Sequence, residues 1–131
     1  MKRPFMAVLM AVGVVSATPT SAWAGTDVPW IHSKVNTADP AQPPRHITVG
    51  KARFLSDGDV VEVCDLVTDG LDTTGLLYRS GDWVPYTEVS VPDGAGCASG
   101  ARPIEAGTRI SLFVDSNPAD VWDGGHGQGV A

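Results

Sequence analysis

Ala52-Arg53-Phe54-Leu55-Ser56-Asp57-Gly58-Asp59-Val60-Val61-Glu62-Val63-Cys64-Asp65 places two apolar-rich runs on either side of a four-residue turn sequence. The runs Ala52–Leu55 and Val60–Cys64 are rich in residues that suit a pleated surface, and an Asp-Gly pair between such runs is a strong short-range hairpin signal. Working outward, Ile47–Val49 precedes Gly50-Lys51 as a further short strand. After Asp65 a polar segment to Thr74 contains Asp69-Gly70, and Gly75–Arg79 then reads as strand up to the turn Ser80-Gly81-Asp82. From Trp83 to Val91 the residues alternate, with Trp83, Pro85, Thr87, Val89 and Val91 on one face and Val84, Tyr86, Glu88 and Ser90 on the other. Pro85 cannot donate to a ladder, which directs this strand to a sheet edge or a bulge. Pro92–Gly100 reads as a Gly-rich loop holding Cys97. In Thr108–Val114 the alternation groups Ile110, Leu112 and Val114, with Phe113 opposite. No window has the period of an amphipathic helix, and 15 Gly with 10 Pro oppose long helices. Six or seven short strands separated by turns predict an all-β fold: a small antiparallel β-sandwich, Ig-like or jelly-roll-like, or a barrel, with one disulfide.

The ends of the chain have a different character. Lys2 and Arg3 precede an uncharged, mostly apolar stretch from Pro4 to Thr18, and Ala22-Trp23-Ala24 stands before Gly25. That order is the basic region, apolar region and small-residue cleavage site of a secretory leader. The apolar part falls short of the roughly 20 residues a membrane span requires. Residues 1–24 are therefore expected to be a signal peptide and the mature protein to be secreted. Residues 25–45, with Pro29, Pro40, Pro43 and Pro44, predict an extended arm without regular structure. Residues 46–115 are the β-rich domain, and the Gly content of 116–131 predicts a flexible tail.

The chain has nine Lys and Arg against 15 Asp and Glu; without Lys2 and Arg3, seven against 15 leave the mature protein at −8. The basic residues are scattered along the sequence, so nucleic acid and membrane surfaces are not expected partners. Cys64 and Cys97 are the two cysteines, and in an exported protein such a pair closes. Their spacing is unlike Cys-x-x-Cys, so the bond reads as structural, tying a strand end to a crossing loop.

The pattern of residues 52–65 followed by Thr68-Asp69-Gly70 resembles small exported proteins of actinobacteria that are themselves largely uncharacterised. The shared features are an aromatic strand, a Gly-Asp turn, a Val-rich strand ending near Cys-Asp and an Asp-Gly loop, over about residues 52–115. The resemblance implies a secreted β-sandwich-like domain and carries no catalytic residues with it.

Candidate chemistry is sparse. The acidic turns hold Asp57 and Asp59, then Asp65, Asp69 and Asp72, then Asp115, Asp120 and Asp123. Calcium takes six to eight oxygen ligands, but the spacing is not that of an EF-hand, and Asp favours turns because it bonds nearby amides. His32, His46 and His126 are too dispersed for the three or four converging ligands of a zinc site. No Gly-x-Ser-x-Gly elbow is present and the cysteines are expected to pair, so no catalytic residue is assigned, and no cofactor or metal is expected. Tyr78, Trp83 and Tyr86, with Trp30 and Trp122, are the candidate binding residues, offering large flat contact area with a polar edge. For Trp83, burial in the core is the favoured reading, because large aromatics are mostly buried. The expected function is a non-enzymatic extracellular binding module for a protein or polysaccharide, acting through a sheet face or the Pro92–Gly100 loop. A disulfide-anchored loop is preorganised, which also suits a hydrolase inhibitor. The alternatives are a small secreted hydrolase using loop carboxylates and a surface or matrix structural protein.

Overall fold

The described residues of the computed structural model are 25–37, 45–116 and 124–131; for 35–37, 45 and 46 the description is of the backbone. The leader at 1–24 and Asp120, Trp122 and Asp123 lie outside them. The described strands are β1 (Val28–Thr37), β2 (Arg45–Leu55), β3 (Val60–Asp65), β4 (Thr73–Arg79), β5 (Thr87–Val91), β6 (Cys97–Ala101), β7 (Arg109–Asp115) and β8 (Gly125–Val130). They form two four-stranded antiparallel sheets, ordered β1-β2-β3-β6 and β5-β4-β7-β8, packed face to face. Among the described residues no helix is long and apolar enough to cross a membrane.

The expected hairpin is present. Leu55 pairs with Val60, and the turn between them uses left-handed backbone at Gly58 (φ 86°) and Asp59 (φ 54°). Asp tolerates that region, and here its Oδ2 also accepts the Ile104 amide at 2.9 Å. The inner faces follow the alternation of each strand. Ala52, Phe54, Val61 and Val63 from the first sheet meet Leu77, Val89, Val91, Ile110, Leu112 and Val114 from the second, all buried. Phe113 points the other way, to the outer face, as its register requires.

Four expectations are corrected. Residues 28–37 of the supposed arm form an edge strand; Pro29 is accommodated because the ladder is irregular between Val28 and Ile31, where no amide is missed. Residues 125–130 of the supposed flexible tail form β8. Gly125, Gly127 and Gly129 face β1, and a Cβ at Gly125 would stand 2.5 Å from the His32 carbonyl oxygen. Glycine at every second position therefore lets two backbones approach, and the Thr26 and Val130 amides and carbonyls exchange hydrogen bonds of 2.8 and 3.0 Å that join the two sheets along this edge. The strand read from Trp83 to Val91 begins only at Thr87, and Trp83 is 96% exposed rather than in the core. Finally, Cys97 lies in β6 directly opposite Cys64, so the disulfide forms as expected but links neighbouring strands.

Candidate functional site

The outer face of the second sheet carries the aromatic residues. On it Leu76 of β4 sits directly opposite Phe113 of β7, and Phe113 opposite His126 of β8. The Tyr78 and Phe113 rings meet edge to face with centroids 5.6 Å apart, and the His126 ring stacks on Phe113 at 5.9 Å and 21°. Such offset and T-shaped contacts are the geometries ring quadrupoles prefer. They fix a row of rings across three strands.

The connection from β4 to β5 forms a wall beside this row. Gly81 at φ 87° and the Asp82 amide bonding the Arg79 carbonyl at 3.0 Å make a tight turn. Arg79 Nε donates to Asp82 Oδ2 at 2.8 Å, and that bond holds the guanidinium above the usual arginine value. After the turn Trp83 and Val84 stand out from the surface, 96% and 70% exposed. Trp83, with the Arg79–Asp82 turn and the row of rings, lines an open hollow of about 780 Å3, into which Ser80, Ser111 and Asp115 add polar groups.

Of the three binding candidates, Tyr78 and Trp83 are brought together at this hollow and Tyr86 is not. The Tyr86 ring packs against the core with the Arg79 and Arg102 guanidinium carbons 4.1 and 3.9 Å from its centroid, and its hydroxyl donates to the Pro103 carbonyl. It anchors the loop. Trp30 lies on the opposite sheet, against Lys51 at 4.1 Å and Arg53 at 4.5 Å, while Arg53 pairs with Glu62. Leu76, Phe113 and His126 were missed as site residues. The outward register of Phe113 in the β7 alternation was the available signal, and the Gly-x-Gly-x-Gly pattern around His126 was the signal for its strand.

The acidic turns separate. Asp59 and Asp65 stand at opposite ends of β3, so the Asp57 and Asp59 turn is separated from the Asp65 and Asp69 loop. Asp65, Asp69 and Asp93 do gather, with oxygens within 4.8 Å of one another. Their hydrogen bonds are those of turn-forming Asp: Asp69 accepts from the Leu71 amide, Asp93 from the Asp69 amide, and Asp65 from the Gly94 amide at 2.6 Å. Asp65 also accepts from the Thr73 hydroxyl at 3.1 Å, so the Thr73 oxygen accepts a hydrogen bond from the Ser116 hydroxyl, and the Ser116 oxygen in turn accepts one from Ser33. This buried chain ties together both sheets. His32 is exposed on β1, and the His46 side chain lies outside the described residues.

The fold and the hollow define a small disulfide-linked β-sandwich with an aromatic groove open on one face. No family model, no curated protein and no solved structure matches the chain.

Proposed function

We propose that the protein is an extracellular carbohydrate-binding module whose groove takes a polysaccharide chain. The observation that carries this reading is Trp83, almost wholly exposed on a wall beside a row of rings formed by Tyr78, Phe113 and His126. An indole left in water contributes nothing to the core, and covering it with an apolar sugar face recovers hydrophobic free energy. The polar groups between the rings, from Ser80, Ser111 and Asp82, suit the hydroxyl edges of the same ligand. The groove is open along its length, which fits a polymer better than an enclosed small molecule. The leader-like first 24 residues and the closed disulfide support an exported protein.

The test is retention of the oxidised protein, residues 25–131, on a series of insoluble and soluble polysaccharides, with Trp83→Ala beside it. At least one polysaccharide should retain the wild type, and Trp83→Ala should weaken that binding by about tenfold or more. Thermal stability should change little, because the side chain is exposed. Retention by a protein partner alone, or undiminished polysaccharide binding by Trp83→Ala, would overturn the reading.

A further inference from the structure

The aromatic hollow does not end at Tyr78. A second hollow of about 410 Å3 lies beside it on the same sheet face, lined by Thr26, Arg109, Gln128 and, in common with the first, Ser80 and Ser111. The two shared serines make the hollows one continuous track along β7. Arg109, Ser111 and Phe113 alternate with the buried Ile110 and Leu112, so all three face the track. Phe113 is four residue steps from Arg109, which at about 3.4 Å each is a span of about 14 Å.

The ends of the track differ in chemistry. One end is the row of Tyr78, Phe113 and His126 rings; the other has hydroxyls, the Gln128 amide and the Arg109 guanidinium, and the turn that leads to Trp83 starts there, its Ser80 amide bonding the Arg109 carbonyl at 2.9 Å. The two cations on this face are also unlike each other. Asp82 neutralises Arg79 at 2.8 Å, whereas Arg109 is exposed and has no carboxylate partner among the described residues. A guanidinium in this state presents its fork of donors to a planar carboxylate.

Resting on the carbohydrate-binding reading, we infer that the ligand is an acidic oligosaccharide, held by stacking on Trp83 and the row of rings and by a sugar carboxylate on Arg109. A ligand that covers the face from Phe113 to Arg109, about 14 Å, contains more than one sugar unit. The chain's formal net charge of −6 works against any acidic ligand, so a preference for one reports a local cation.

The experiment compares uronic acid oligosaccharides of galacturonate and of mannuronate with their methyl esters, which keep the sugar backbone and erase the charge. Binding is measured by calorimetry for the wild type, Arg109→Gln, Trp83→Ala and Lys34→Gln. Lys34 is exposed on β1 of the other sheet and serves as a charge-matched control. The wild type should bind the acids about tenfold more tightly than the esters, and Arg109→Gln should lose that preference while still binding esters. Lys34→Gln should keep the preference, and Trp83→Ala should weaken both ligands. Equal binding of acid and ester, or a preference that survives Arg109→Gln, overturns the acidic-ligand inference and leaves the carbohydrate reading standing. Failure of every neutral and acidic saccharide to bind overturns both.

Discussion

Asp27 precedes β1, and its Oδ1 accepts both the amide and the hydroxyl of Ser56, at 2.7 and 2.8 Å, in the turn between β2 and β3. Those two bonds, the backbone one first, hold its carboxyl below the ordinary value of 3.8. A carboxyl lowered in the folded state contributes stability that is complete above its unfolded pKa and is lost as pH falls through the folded value. The tie should therefore be whole above about pH 4 and disappear below it. Asp27→Asn should flatten the acid limb of the stability curve in that range and leave the slope between pH 5 and 8 unchanged. Chemical denaturation at a series of pH values measures both; an unchanged acid limb would show that Asp27 contributes nothing. Trp83 is the contrasting case at this scale. Asp27 makes two bonds within the protein, whereas the indole is left almost entirely in water. The first contributes to folding, and the second is available for a ligand.

Strand β8 shows how packing between elements overrides local propensity. Glycine weakens an isolated strand, yet the inward glycines here are what allow β8 to lie against the backbone of β1. Gly125→Ala puts a methyl 2.5 Å from the His32 carbonyl oxygen and 2.8 Å from its amide nitrogen, and neither atom can rotate away. The variant should lose about 1–3 kcal/mol in urea denaturation, the usual cost of overpacking. Gln128→Ala, on the outward side of the same strand, should stay within about 0.5 kcal/mol of the wild type. Equal stabilities for the two variants would mean that the close approach is not a constraint. The same contrast explains what was legible in the sequence. The β2–β3 hairpin and the β7 alternation depend on neighbours in the chain, so Asp57-Gly58 and Ile110, Leu112 and Val114 were sufficient to read them. β1 and β8 also depend on each other, from opposite ends of the chain, and their Pro and Gly pointed the other way. At Trp83 a period-2 pattern ran on past Pro85 into residues that the structure places in a loop, and the exposed indole was read as core. The site was half legible for the same reason. Tyr78 and Trp83 could be named as aromatic, but their meeting with Phe113 and His126 is a product of strand order.

Across the whole molecule, the disulfide and the sheet-joining edge act on different parts. Cys64 and Cys97 are 33 residues apart in sequence, and the loop they close runs from β3 through β4 and β5 to β6, leaving the first sheet for the second and returning. Constraining a loop of that length in the unfolded chain stabilises the folded protein by about 4 kcal/mol on chain-entropy grounds. β6 has β3 as its hydrogen-bonded neighbour, whereas β4, β7 and β8, which carry the groove, are paired side by side and joined to the first sheet by Thr26 and Val130. Removing the bond should thus lower stability without dismantling the groove. The variant with Cys64→Ser and Cys97→Ser should melt about 15–30 °C below the oxidised wild type, while below its own midpoint it should bind the same polysaccharide with unchanged affinity. Calorimetric melting and binding at 10 °C measure the two effects separately. Loss of binding by a variant that is still folded would show that the disulfide positions the groove, which would place the functional surface across both sheets rather than on one outer face.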